Sequence, residues 1–547
     1  MAQAGAVRRS VLAVAHNPAL VRLETAYGLF AVYEMGLWVV VLLWAYQVGG
    51  PTFAGLVSVL QLVPAALLAP VGGVIADRMR RDLVLRGGYL AHAASMGLLA
   101  ALLAVEAPRS AVVASATLWC VLVAWTRPAH YAAAAELSRT PADAAAANSL
   151  SGTLQGAGYF LGPVLAGVSA SLGGPSSAVT MFAVVAVVCA LLLTGVRLGA
   201  PTEVPVEGAP TTTARLTTEL VRQPSVAIIL LVVGLEFVAE GSLQLLAIAF
   251  VNEHLDEGEA VAGLLIGASG LGGILGAAGA IVLVRWKRMS LAVVGSLAAG
   301  SVPMLAFTVI TSLFPAVVLL VLVGAGMAFF GVAGITLLQR AVSNALMARI
   351  MALRESAFLG GFAAGAVVAP VLIEGFGASV AYAVLGAGLT VLALAAWPAA
   401  RRLEAASTYR PQVVALLQGI GFLAVLDAPV LERLAHGATL TTAAPGDVVI
   451  RQGEPGESYY VVETGAVTVS FAQLPATERL GPGSGFGEIA LLRQVPRAAT
   501  VRAETDCRLW RIDRDLFLAS VAGSAGHDIA ERHIDEQLHR SSRPPDR

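Results

Sequence analysis

At 547 residues, with 57% of them hydrophobic and only 13% charged, the chain is too apolar for a soluble globular protein, where these shares are about 45–50% and about 25%. A formal net charge of −1, with basic residues confined to short loops between apolar runs, excludes a nucleic-acid partner, because phosphate binding needs a clustered basic field. The three cysteines, Cys120, Cys189 and Cys507, have none of the paired spacings of metal or disulfide frameworks, so no metal centre is expected and they read as small core residues.

In chain order, Arg8 and Arg9 precede a stretch interrupted by His16, Asn17 and Pro18. The apolar run that follows is too long for a signal-peptide core, so no cleavage is expected. A bilayer crossing needs about 20 mostly apolar residues, and such windows recur about twelve times before Arg401. The predicted spans are 24–47, 52–76, 83–105, 110–134, 144–171, 177–198, 224–250, 259–284, 290–312, 315–340, 350–374 and 377–399. The loops sort by charge. One set carries Arg78, Arg80, Arg81, Arg86, Arg139, Arg215, Arg222, Arg285, Lys287, Arg288, Arg349 and Arg401. The alternate set, at 49–51, 173–175 and 252–259, carries almost none, with Arg109 its one clear basic member. The positive-inside rule makes the first set cytoplasmic, and an even number of crossings puts both termini there, in a bacterial inner membrane.

The two halves repeat at an offset of about 206 residues. Asn17-Pro18 followed by Glu34 is matched by Gln223-Pro224 followed by Glu240, and Gly162-Pro163 by Ala369-Pro370. Gly72-Gly73 with its arginines is echoed by Gly279 with Arg285, Lys287 and Arg288. Parallel six-helix repeats of this kind resemble the major facilitator superfamily, whose substrates bind near the midplane between the halves. The expected division is 1–198 for the first half, a Thr- and Pro-rich linker at 199–222, 223–401 for the second half and a connector at 402–412. The run Gly73-Val74-Ile75-Ala76-Asp77-Arg78, followed by Arg80-Arg81, resembles the facilitator loop after the second helix, although Arg80 stands where many members have Gly. That resemblance implies a cytoplasmic gate of Asp77, Arg78 and Arg81, and Arg127 is grouped with it. Gly158 to Gly167 is similar to the exporters' antiporter motif. With Arg127-Pro128 and Ala147 to Leu150, the region of about 15–400 looks most like the enterobactin-exporter and macrolide-efflux branch.

Acids inside the membrane mark a site, because each costs on the order of 3 kcal/mol at a span's centre unless a cavity or partner receives it. Glu34 shares a helical face with Tyr27 and Trp38, and Glu236, Glu240 and Gln244 form a stripe on the seventh span. The repeat superposes Glu34 on Glu240, so the pair is expected at matching depth beside a central cavity that Gln155 and Tyr159 also line. Such carboxylates suit proton-coupled export of a small amphipathic molecule. A structural role in interhelical hydrogen bonding is the competing reading, above all for Glu236. Glu24 reads as interfacial.

After Arg402 the composition changes to that of a soluble domain. A helical stretch at 413–436 is followed by short alternating strands at 448–450, 459–462 and 467–471. Phe486-Gly487-Glu488-Ile489-Ala490-Leu491-Leu492, a spacer, then Pro496-Arg497-Ala498-Ala499-Thr500-Val501 resembles the phosphate-binding cassette of cyclic-nucleotide-binding domains over about 413–540. A cyclic nucleotide offers an anionic phosphate, for which Arg497 and backbone amides are the natural partners, and a ribose 2′-hydroxyl, for which Glu488 is. Gly487, Ala498 and Ala499 keep those amides accessible. Gly446, Gly453, Gly456 and Gly465 fall at turns of the family's β-roll, and a lid is expected from Ile529 to Leu538. Ala498, where cGMP-preferring members usually carry Thr, favours cAMP as the regulatory ligand over cGMP.

The expected fold is therefore an all-α polytopic membrane domain of two pseudo-symmetric halves followed by an α+β β-roll. No enzymatic activity is expected. The expected function is a cAMP-regulated secondary transporter whose partners are a small-molecule substrate, protons and the lipid bilayer. A transport-dead sensor or scaffold is the alternative, and a nucleotide-gated channel is disfavoured by the repeat and the missing filter sequence. Oligomeric state is not legible.

Overall fold

The computed structural model describes residues 17–138, 141–196, 198, 223–280, 288–342, 344–406, 410–424, 426, 428–471 and 477–521. The proposed linker and lid fall outside them. The chain divides into two compact units, Met1–Ser407 and Thr408–Arg547.

The first unit is helical. It comprises α1 (Pro18–Arg78), α2 (Arg81–Ala104), α3 (Arg109–Leu137), α4 (Pro141–Leu192), α5 (Pro224–Phe250), α6 (Glu259–Gly279), α7 (Met289–Leu305), α8 (Leu313–Ala341), α9 (Asn344–Phe376) and α10 (Ala378–Ala406). All ten are long and apolar enough to cross a membrane. Two of them are double: α1 breaks at Gly49 and at Gly50 (φ 70°), and α4 at Gly174 (φ 76°). A positive φ is costly for any residue with a Cβ, so Gly50 and Gly174 reverse the chain between two spans. Each double helix supplies two crossings, and the twelve segments match the twelve predicted spans. The repeat register is visible in the backbone, since α1 and α5 start at Pro18 and Pro224. Proline is at home at a helix start, where its missing N–H would have no intrahelical partner. Asn17 caps α1, its Oδ1 accepting from the backbone N–H of Ala19 and Leu20 at 3.2 and 3.3 Å, whereas Gln223 makes no such cap on α5.

Small residues let the halves touch backbone to backbone. A Cβ on Gly263 of α6 would lie 2.3 Å from the Pro163 carbonyl oxygen of α4, and one on Gly55 of α1 would lie 2.2 Å from that of Ala366 on α9. Larger side chains would force the helices apart. Gln47 donates to Glu259 and Thr52 donates to Glu374. Both bonds join the halves at the end where the basic-poor loops lie, so that end is closed.

The second unit opens with α11 (Pro411–Gln418) and α12 (Ala428–Gly437). The helical stretch expected at 413–436 is thus two helices, interrupted by turns around Gly419 and Gly421. Eight strands follow in two antiparallel four-stranded sheets, ordered β1-β8-β3-β6 and β2-β7-β4-β5. They are β1 (Thr439–Ala443), β2 (Val448–Ile450), β3 (Ser458–Thr464), β4 (Val467–Ser470), β5 (Thr477–Leu480), β6 (Gly485–Phe486), β7 (Thr500–Ala503) and β8 (Cys507–Asp513). Alternation along β3 sorts its side chains between two cores. Tyr459 and Val461 pack with Leu417, Leu434 and Phe517 on the helical side. Val462 joins Ile450, Val467, Phe486, Val501 and Leu509 inside the roll. Short helices α13 (Glu488–Leu492) and α14 (Arg514–Val521) complete the unit. Gly446, Gly453 and Gly465 hold positive φ at turns. Gly456 does not, and its role is contact: a Cβ there would sit 2.7 Å from that of Ala490.

Candidate functional site

The C-terminal cassette is built where β6 ends. Gly487 turns the chain at φ 96° and α13 begins at once with Glu488. The loop after α13 is tied to the β2–β3 turn, with the Arg497 amide donating to the Glu454 carbonyl at 2.8 Å and the Gly453 amide donating to the Arg497 carbonyl at 2.9 Å. Arg497 is thereby carried into the roll, where it is only 7% exposed. Its Nη1 donates to the Gly487 carbonyl at 2.9 Å and its Nη2 to that of Ser458 at 2.7 Å. Glu488 is also buried, and its Oε2 has no hydrogen-bond partner. Burial pushes the Glu488 carboxyl up to about 7, opposed by a backbone hydrogen bond and by Arg497, and assisted by the Glu478 carboxylate. Burial also lowers the Arg497 guanidinium.

These groups share one cavity with Gly487, Ile489, Ala490, Ala498 and Ala499, beneath an apolar wall of Ile450, Val469, Phe471, Leu480 and Val501. Phe486 also lines it while stacking on Tyr460 at 5.4 Å. One guanidinium, one partnerless buried carboxylate oxygen and one apolar wall match the phosphate, ribose hydroxyl and base of a cyclic nucleotide. Glu478, also in the cavity wall, was missed from the sequence because it arrives on β5, a strand not predicted.

In the membrane unit the structure regroups several expected residues. The Arg127 guanidinium donates to Glu34 Oε2 at 2.8 Å, so it belongs with the central acid and not with a cytoplasmic gate. Helix α3 runs on to Leu137, past the predicted end at 134, which leaves Arg127 well inside it. Arg81 pairs with Glu136 of its own half at 2.9 Å, so that bond does not latch one half to the other. Asp77 and Arg78 end α1, and their side chains lie outside the described residues. Tyr27 stacks on His130 at 3.8 Å and stays within electrostatic reach of Glu34 and Arg127. Glu24, in the second turn of α1, is buried.

Trp38 Nε1 donates to Gln244 Oε1 at 2.6 Å across the halves. These two residues are themselves repeat mates, so their bond marks the pseudo-twofold axis, and Glu34 and Glu240 each lie one helical turn from it. Tyr159 lies within electrostatic reach of Arg127, Glu34 and Glu240 alike. Gln155, one turn before Tyr159, is half-buried. Glu236 is buried within reach of Glu240 and Arg354, whose guanidinium sits 5.2 Å over the Phe237 ring.

Comparison with known proteins supplies the family. Residues 24–354 match the model of the Major Facilitator Superfamily, and residues 440–523 match that of the cyclic nucleotide-binding domain. Among solved structures, the chain is similar to the regulatory domain of Toxoplasma gondii protein kinase A crystallised with cAMP, at 24% identity over 26% of this chain and 56% of that one, with a TM-score of 0.23. It is also similar to the regulatory subunit of a cAMP-independent protein kinase A from Trypanosoma brucei, at 25% identity over 27% of this chain and 55% of that one, with a TM-score of 0.23. The chain spans little more than half the length of either. It belongs to the major facilitator superfamily, as a multi-pass membrane protein that carries a cyclic nucleotide-binding domain after its membrane-spanning part.

Proposed function

We propose that the chain is a proton-coupled exporter of a small amphipathic molecule, regulated by cAMP bound at Glu488 and Arg497. The observation that carries the transport reading is the Trp38–Gln244 bond on the pseudo-twofold axis, with Glu34 and Glu240 one turn away from it. An acid pair straddling the axis between two halves can face each side in turn and carry protons as it does so. The Glu34–Arg127 ion pair gives the acid a partner to release on protonation. The basic loops face the cytoplasm in this reading, so the closed, basic-poor end faces outward. Efflux of tetraphenylphosphonium from proteoliposomes under an imposed pH gradient tests it: export that follows the gradient is expected, and none under any gradient overturns it.

For the regulatory half, Glu488 gives a pH signature. Its carboxyl holds a proton in the folded domain up to about 7, above its ordinary value of 4.5. The protonated form therefore stabilises the nucleotide-free fold at low pH, and that contribution fades as pH rises through 7, by on the order of 3 kcal/mol. Glu488→Gln removes the titration. In thermal melts of the full-length protein, the variant's soluble domain is expected to match the parent at acid pH and to melt higher than it at alkaline pH. Cyclic AMP binding is expected to weaken by about tenfold in the same variant, with a charged acceptor for the 2′-hydroxyl gone. Parallel pH profiles for the two proteins would remove Glu488 from the site.

A further inference from the structure

Apart from the axial acids, the first half holds a second buried titratable cluster. Glu24 on α1 is 2% exposed and His130 on α3 is 0% exposed. Ser151 of α4, also buried, stands between them: its Oγ donates to Glu24 Oε2 at 2.8 Å and lies 3.0 Å from His130 Nε2. A hydroxyl has one proton, so with Ser151 donating to Glu24 the imidazole Nε2 must carry its own hydrogen and donate to Ser151. That fixes the neutral imidazole with a bare Nδ1. Both His130 Nδ1 and the far oxygen of the carboxyl, Glu24 Oε1, are buried without a hydrogen-bond partner.

Among the described residues, no second charged side chain forms an ion pair with Glu24. The group within ion-pair reach of Glu24 is His130 itself, at 3.6 Å. From α1, Tyr27 covers the imidazole ring and shares a 3.3 Å bond with Tyr131 of α3. From α2, Tyr89 lies within electrostatic reach of Glu24, its hydroxyl also without a partner. From the second arm of α4, the Cys189 thiol donates to the Ala26 carbonyl at 3.4 Å. Arg127, one turn before His130, is committed to Glu34. The repeat positions in the other half are Leu230, Thr336 and, in the register that pairs Pro163 with Pro370, Phe358, none of which titrates. Leu230 instead lines an apolar cavity of about 360 Å³ beside Arg354. The cluster is therefore a feature of one half alone.

We infer that Glu24, Ser151 and His130 form a proton-binding relay distinct from Glu34. A proton arriving at His130 Nδ1 displaces the Nε2 proton onto Ser151 Oγ, and the Ser151 proton passes to Glu24. The relay gains one proton, the carboxylate becomes a carboxylic acid, and the imidazole stays neutral as the other tautomer. Release runs the same steps backwards. The entry atom, His130 Nδ1, is buried and partnerless, the receiving atom is Glu24 Oε2, which already accepts from Ser151, and reversal of the hydroxyl keeps each intermediate bond satisfied. Its purpose, a second proton for each transport cycle, rests on the proton-coupled reading above.

Infrared difference spectra of the purified full-length protein, between alkaline and acid pH and without substrate, test the relay. Acidification is expected to raise a protonated-carboxyl band that Glu24→Gln abolishes, together with an imidazole tautomer exchange that His130→Gln abolishes. Ser151→Ala, a small change that leaves both titratable groups in place, is expected to retain the carboxyl band and lose the tautomer exchange. Carboxyl bands unchanged in Glu24→Gln, or tautomer exchange persisting in Ser151→Ala, overturns the relay. Failure of the transport reading looks different: pH-driven tetraphenylphosphonium efflux is then absent from the parent while the Glu24 band still titrates, and the relay stands.

Discussion

Arg497→Ala is expected to weaken cAMP binding by at least about 100-fold. The guanidinium is buried in the cavity wall, so a phosphate there meets it in a water-poor setting where charge-assisted bonds contribute about 1.5–3 kcal/mol each. Its loss also orphans the Gly487 and Ser458 carbonyls that now accept from it at 2.9 and 2.7 Å. Arg497→Lys is the informative companion, because a single ammonium cannot reproduce a planar fork bonded to two carbonyls while facing a ligand. An intermediate loss is expected for it. Calorimetry on the full-length protein measures both, and parental affinity in Arg497→Ala removes the cassette from the account.

Glu34→Gln is expected to reduce gradient-driven efflux to background. The substitution keeps an oxygen that accepts from Arg127 but removes the charge and the exchangeable proton. Removing one partner of the part-buried pair leaves Arg127 without its acceptor, so Glu34→Ala would confuse lost function with lost folding, and Gln is the cleaner choice. Glu240→Gln is expected to share the defect, since Tyr159 senses both acids from between the halves. In the competing reading, a sensor without transport, both variants leave every phenotype intact. Efflux rates at matched protein levels in proteoliposomes separate the two.

Local, repeated or conformationally demanding features were readable in the amino-acid order. The prolines at 18 and 224 announce both halves. The glycines at 50 and 174 mark the reversals because no other residue takes those angles cheaply. Glu488 and Arg497 lie close together in one motif, and the cavity brings them together as the motif implies. Contacts between distant helices were not readable. The offset that pairs Trp38 with Gln244 gave their equivalence, but only helix packing puts repeat mates in hydrogen-bond reach of each other. Arg127 was misplaced for a related reason: its partner, Glu34, stands on another helix, and only packing brings the two together. Glu24, His130 and Ser151 each look ordinary on their own helix, and their meeting depends on three helices converging.

A nucleotide domain regulates a carrier only if it binds its ligand differently in the carrier's two states, and linkage then makes the effect reciprocal. Gln47 and Glu259 touch across the closed end through their side-chain tips, so cysteines at the two positions can be bridged by a short bis-maleimide cross-linker that locks it. The most direct measurement is the cAMP dissociation constant of the Gln47→Cys/Glu259→Cys protein, with Cys120, Cys189 and Cys507 replaced by Ala, before and after cross-linking. The account predicts a shift of at least about fivefold on locking, the lower end of typical coupling energies. An identical dissociation constant in the locked and unlocked protein would contradict it.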